Sequence, residues 1–297
     1  MVDFVKDLSE IMLQAYKEKG INPPNGDAHT LLSRFFNLKD KIIEPKIRNV
    51  KVSKELSGGV LDDYYKQCLH HIKNRFKNGK DVSIFLSKKS IKPSQKDLLL
   101  YDWGIHHLHL SMPKKGKKFV ERSDYLLFFM IDNNNVYFID VTKHKLPDGT
   151  EFSQQELLRI VKNNWPYLLE PYKLKGAFSL EREMSDKDYS ELRKSGSASL
   201  IEIDEEVYGL IGGGITTART NINHTTKTDH IFRTLRDMEG TLKENHKNMS
   251  DFLFQNGFKQ INPSFRLIVE DETFYVINEN TKVIVLESKS LFETIFR

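Results

Sequence analysis

The chain has 297 residues, 39% of them hydrophobic and 29% charged, with 45 basic against 41 acidic side chains and a net charge of +4. That composition lies in the range of ordinary globular proteins, so disorder is not the default, and the length suggests about two domains with a sizeable core. The longest unbroken apolar run, Tyr125–Ile131, falls far short of the roughly 18–20 residues a membrane helix requires, so no membrane span and no membrane partner is expected.

Cys68 is the only cysteine, which rules out an internal disulfide and any multi-cysteine metal site. It sits in an apparent helix, where a small buried residue is the expected role. The first residues place Asp3 before Lys6 with no long apolar core, unlike a secretory signal, so the expected location is the cytoplasm.

Residues 1–92 read as a helical N-terminal region. Phe4, Leu8, Ile11, Met12 and Tyr16 recur at helical spacing, a second amphipathic pattern covers 60–76, and breaks fall at Pro23, Pro24 and the Gly58–Gly59 pair. Near Ser94 the texture changes. Ser94 to Asp97 reads as a capping box for a short helix through Leu98, Leu99 and Leu100. Residues 105–110 then alternate as a strand does. Two stronger strands, 125–131 and 136–141, are joined by Asp132, Asn133, Asn134 and Asn135, residues that tolerate positive φ, which predicts a hairpin. Ser153 to Glu156 resembles a second capping box, opening a helix with Leu157, Leu158, Val161 and Trp165 on one side and Pro166 at its end.

Past a polar stretch at 185–199, residues 200–211 and 215–222 are expected to pair across Gly212, Gly213 and Gly214. A long helix is expected over 226–256, where Ile231, Leu235, Met238, Leu242, Met249 and Phe252 step by fours and threes with Asn245 at one seam position. Such a seam suits either packing within its own domain or a homodimer. Three β-like segments close the chain. The fold class is therefore α+β: a helical region over 1–92, a central small antiparallel sheet with packed helices over 93–199, and a C-terminal α+β region with one long helix over 200–297.

The chemically suggestive segment holds His106, His107 and His109, three histidines in four residues. On a strand His107 and His109 share one face and His106 takes the other. Imidazole titrates near neutrality and suits proton transfer or metal ligation. A tight hairpin brings its outer ends together, so Arg122, Asp124 and Tyr125 at the entry should meet Lys143 and His144 at the exit. If the histidine strand joins the same sheet, His107 and His109 can face them. Basic residues concentrate just before the hairpin at Lys114, Lys115, Lys117 and Lys118. With Trp103 and Tyr125 they suit a phosphate backbone and stacked bases.

From Arg122, Asp124 and Tyr125 through the Asn-rich turn to Asp140, Lys143, His144 and Lys145, the segment resembles the central hairpin of RelE/ParE-like toxins. There a basic-x-Asp-Tyr strand is followed by an apolar strand ending in His and a basic residue. The resemblance covers about residues 95–145 at most. It departs from the family at Leu126, where such toxins often carry arginine, and in the His107/His109 pair. It implies a helical pair on a twisted antiparallel sheet, an RNA substrate, a role as toxin or in phage defence, and an antitoxin or defence-system partner protein.

Scission by the RNA 2′-hydroxyl needs a base, an acid and cations around the phosphorane, and requires neither metal nor cofactor. His107 and His109 are the acid/base candidates, Arg122 and Lys143 the phosphate contacts, and His144 an assistant, with Asp124 beside them. Two alternatives remain open. One is a non-enzymatic RNA- or protein-binding module. The other is a metal-dependent hydrolase with His107-x-His109 joined by Asp124, Asp140 or His144. Asp271 with Glu287 and Lys289 is a weaker echo of a metal-dependent nuclease.

Overall fold

In this computed structural model the described residues are 2–255, 257–258 and 263–297. In chain order the elements are α1 (Phe4–Glu18), α2 (Ala28–Lys41), β1 (Asn49–Val52), α3 (Lys54–Gly58), α4 (Asp63–Lys77), α5 (Leu98–Trp103) and β2 (His106–His109). β3 (Tyr125–Ile131), β4 (Asn135–Lys143), α6 (Glu156–Asn164), α7 (Asp186–Ser195), β5 (Ile201–Ile203) and β6 (Glu206–Tyr208) follow. The chain ends with α8 (Ile222–Glu244), α9 (His246–Gln255), β7 (Phe265–Glu270), β8 (Thr273–Asn278), β9 (Ile284–Ser288) and α10 (Lys289–Phe296). The class is α+β, and no helix among the described residues is long and apolar enough to cross a membrane.

Two compact units form, one from residues up to Asn37 together with His224 onward, the other from Leu38–Asn223. The expected boundaries at 92/93 and 199/200 both fall inside the second unit: β1 from the expected helical region pairs with β4, and Ile201, Ile203 and Tyr208 pack into the same core as α6. In the first unit, Asp3 caps α1 by accepting from the Lys6 N–H. Asp7 of α1 accepts the Leu267 N–H of β7 at 2.8 Å, which ties the helix to the three-stranded sheet β7-β8-β9. The expected single helix over 226–256 is two, α8 and α9, separated at Asn245. Residue 256 and the Met249 side chain lie outside the described residues. Ile231, Leu235 and Leu242 of the seam are buried in the chain itself.

The second unit is built on a four-stranded sheet of order β1-β4-β3-β2. β1 runs parallel to β4 and the other pairs are antiparallel, so the sheet is mixed where an antiparallel one was expected. A four-residue strand at the edge of a helical region gives too short an alternation to detect. One face carries Leu108, Leu127, Phe129, Val136 and Phe138 against Cys68, Ile72 and Phe76 of α4. The other carries Ile105, Leu126, Phe128, Tyr137 and Ile139 against α5, α6, α7 and the β5–β6 hairpin. With both faces covered, β3 is apolar at consecutive positions instead of alternating.

Local chemistry explains several differences. Asp97, not Ser94, caps α5, its carboxylate accepting the Leu100 N–H at 3.1 Å. Ser153 donates to the Thr150 carbonyl, and the start of α6 is held instead by Asp186, which accepts the Gln155 N–H at 3.0 Å. Residues 200–211 fold back on themselves: β5 pairs with β6 across Asp204 and Glu205, both at positive φ, as a two-residue hairpin demands. Gly212 is then free to dock on α5, its N–H reaching the Asp102 carbonyl at 2.9 Å. A Cβ at Gly212 would lie 2.3 Å from the Leu100 carbonyl oxygen, so only glycine fits this approach.

Candidate active site

The β2–β3 register aligns His107 with Phe128 and His109 with Leu126, which puts both imidazoles on the sheet face toward α5 and α6. His106 takes the opposite face and stacks on Phe129 at 5.3 Å. At the far end of β4 the His144 N–H donates to the Asp124 carbonyl at 2.7 Å. That bond continues the ladder one residue past the strand and returns the His144 ring to the His109 side. The two rings stack with centroids 5.2 Å apart and planes 11° from parallel.

These side chains line a cleft of about 590 Å³. His107, His109, Arg122 and His144 contribute one part of its lining, and Asp97, Phe152, Ser153, Lys89, Arg193 and Lys194 are among the rest. Phe152 holds the histidines from the side, its ring 5.1 Å from that of His107 and 6.5 Å from that of His144. Asp97 Oδ2 lies 3.7 Å from His107 Nδ1, an ion-pair distance too long for a hydrogen bond.

His109 is 4% exposed. Burial, reinforced by His144, His107 and Arg122 nearby, pushes its pKa down to about 4. His144 is half-buried, and its imidazole is also held below the ordinary histidine range, first by burial and then by the Arg122 charge, against a smaller opposing pull from Glu151. Both rings are therefore neutral at neutral pH and able to accept a proton.

Behind the cleft wall lies a buried ion pair. Arg193 Nε donates to Asp102 Oδ2 at 2.7 Å, its Nη1 donates to the Phe152 carbonyl, and its guanidinium covers the Trp103 ring at 3.9 Å. The pair fixes the residue whose ring abuts two of the histidines. Asp97, Phe152 and Arg193 are residues that sequence reasoning missed as parts of the site. Asp97 had a signal, an acid directly before an apolar helical start; the other two come from distant segments and have none.

Other expected site residues lie elsewhere. Trp103 is 1% exposed, packed between Tyr189 and Arg193, and its ring is not offered to a base. Tyr125 meets Tyr65 of α4 with ring centroids 4.6 Å apart and planes tilted by 59°. Lys143 pairs in register with Tyr125, so it shares the sheet face of Tyr125 and is absent from the cleft lining. Asp124 is exposed and contributes its carbonyl, not its carboxylate, to the arrangement. Lys114 pairs with Glu121 at 2.7 Å, and neither it nor Lys115, Lys117 or Lys118 lines the cleft. Asp140 accepts its neighbour's Val141 N–H and is likewise outside the cleft. Among the described residues no three His, Cys, Asp or Glu side chains are grouped to hold a metal ion.

Comparison with protein-family models, with curated proteins and with solved structures found no match to this chain.

Proposed function

We propose that the cleft cleaves RNA by metal-independent acid/base catalysis, and that the protein is an endoribonuclease of toxin or phage-defence type. The observation that carries this reading is the convergence of His107, His109, His144 and Arg122 on one open cleft. RNA carries its own nucleophile, so scission needs only a base for the 2′-hydroxyl, an acid for the leaving 5′-oxygen and a cation for the phosphorane.

His144, neutral and half-buried, takes the 2′-hydroxyl proton as the 2′-oxygen attacks phosphorus. His107, beside the Asp97 carboxylate, gives a proton to the 5′-oxygen as the P–O5′ bond breaks. The products are a 2′,3′-cyclic phosphate and a free 5′-hydroxyl. Arg122 neutralises the developing charge, and His109, too buried to reach substrate broadly, positions His144 by stacking. The likeness of the hairpin at 122–145 to RelE/ParE-like toxins supports RNA as substrate and a cytoplasmic setting with a restraining partner protein, by analogy of site and not of whole fold.

Incubation of the purified chain with single-stranded RNA in EDTA tests the reading. Cleavage to cyclic-phosphate ends, lowered about 100-fold or more in His144→Ala and His107→Ala with circular dichroism unchanged, is the expected result. A gel shift without cleavage makes the protein a binding module. Cleavage only on adding a divalent metal makes it a metal-dependent nuclease.

A further inference from the structure

The cleft holds more positive charge than one phosphodiester uses. Lys41, Lys89, Lys96, Arg122, Arg193 and Lys194 line it against Asp97 and Glu151. Asp102 behind the wall neutralises Arg193, and five lining cations still face two carboxylates. Only Arg122 among them acts on the His144 and His109 pair strongly enough to depress it. The rest come from other segments: Lys41 from the end of α2, Lys89 and Lys96 from the stretch before α5, and Arg193 and Lys194 from the last turn of α7.

Arg193 adds an independent sign. Its side chain is 5% exposed, Nε and Nη1 are engaged, and the buried Nη2 has no hydrogen-bond partner. A buried guanidinium nitrogen is seldom left unsatisfied. Arg193 is a lining residue of the cleft, and Nη2 is the nitrogen of its guanidinium that neither Asp102 nor the Phe152 carbonyl engages. Lys89 and Lys194, both exposed, stand among the lining residues as further donors. One guanidinium nitrogen left over from the Asp102 pair, together with two ammonium groups, is a donor set for a phosphate group.

We infer that the cleft has a second phosphate subsite, formed by Arg193, Lys89 and Lys194, which takes the phosphate next to the one held between His107 and His144. The ligand is then a nucleotide strand with at least two phosphates in the cleft. This rests on the histidine side being the scissile-phosphate site. It adds that binding energy is gathered one phosphate away from the chemistry, where it can hold the strand in register.

The test uses deoxydinucleotides, which lack the 2′-hydroxyl and are bound but never cut. Affinities of the full chain are measured for a plain deoxydinucleotide and for the same molecule phosphorylated at its 5′ or its 3′ end. One of the two phosphorylated forms is expected to bind about 10-fold tighter than the plain one. That gain is expected to shrink to about 3-fold or less in Lys89→Glu and in Lys194→Glu, surface changes that leave the buried Arg193 pair intact. No gain from either terminal phosphate, or an undiminished gain in both variants, overturns the inference. A gain lost in the variants while RNA stays uncut in EDTA keeps the subsite and refutes the acid/base reading; RNA cut normally with no gain does the reverse.

Discussion

His109 and His144 lie ring over ring, 5.2 Å between centroids, with Arg122 lining the same cleft. Two imidazoliums at that separation repel, and burial removes the water that would screen them, so protonation of either opposes protonation of the other. Both pKa values are depressed. If His144 is the base, it must be neutral, and kcat/KM falls only as pH drops through its lowered value. The acid limb of the pH–rate profile should therefore lie below pH 6.5, the ordinary histidine value. Arg122→Gln removes one cause of the depression and should move that limb to higher pH while lowering the plateau about 10–100-fold. A limb that stays in place in Arg122→Gln assigns the titration to another group.

Burial of His109 also makes stability depend on pH. Folded, its pKa is about 4, against about 6.5 unfolded. Between these values the unfolded chain binds the extra proton, so stability rises with pH across the window and is lost as pH falls from about 6.5 to about 4. The full difference corresponds to about 3 kcal/mol. Trp103 and Trp165, the only two tryptophans, both belong to the Leu38–Asn223 unit, and their fluorescence in urea reports its unfolding. Wild type should lose up to about 3 kcal/mol more than His109→Leu between pH 7 and pH 4. Equal losses in the two proteins would show that His109 is not the linked group.

The placement of His107, His109 and the hairpin ends is legible in the sequence. Period-two alternation put His107 and His109 on one face, and the Asn-rich turn placed the hairpin ends together, because both signals are local. What escaped was long-range. The β-bulge between Phe128 and Phe129 shifts the register with β4, so that Lys143, read as a cleft cation, falls on the sheet face of Tyr125. Trp103 looked available for stacking, yet an apolar helical stripe of Leu99, Leu100 and Trp103 is what a buried face requires. The pairing of Asp102 with Arg193 spans 91 residues, and no spacing rule links them. The same holds for β1, whose partner β4 lies beyond three helices and two further strands in the chain.

That buried pair makes a prediction of its own. Asp102 and Arg193 are 2% and 5% exposed at the side chain, and removing one partner leaves the other charge without compensation. Asp102→Asn should cost about 3–5 kcal/mol of the stability read by tryptophan fluorescence. Replacing both, as Asp102→Asn with Arg193→Met, should recover about 2 kcal/mol or more of that loss, since the stranded charge is gone. A double variant no more stable than Asp102→Asn alone would place the cost in lost packing on Trp103 instead.

Asp97 separates function from folding within one side chain. Its Oδ1 caps α5 through the Leu100 N–H at 3.1 Å, while its Oδ2 sits 3.7 Å from His107 Nδ1. Asparagine caps a helix as well as aspartate does, so Asp97→Asn should leave stability within about 0.5 kcal/mol. It removes the negative charge 3.7 Å from His107 Nδ1, however, and a carboxylate at that distance is placed to offset the positive charge that the ring carries during proton transfer. RNA cleavage by Asp97→Asn should fall about 10–100-fold in kcat with KM little changed. Asp97→Ala should show the same kinetic loss and, in addition, about 1 kcal/mol of destabilisation from the missing cap. Full activity in Asp97→Asn would mean that His107 works without the carboxylate, and the acid would then have to be sought among the other groups of the cleft.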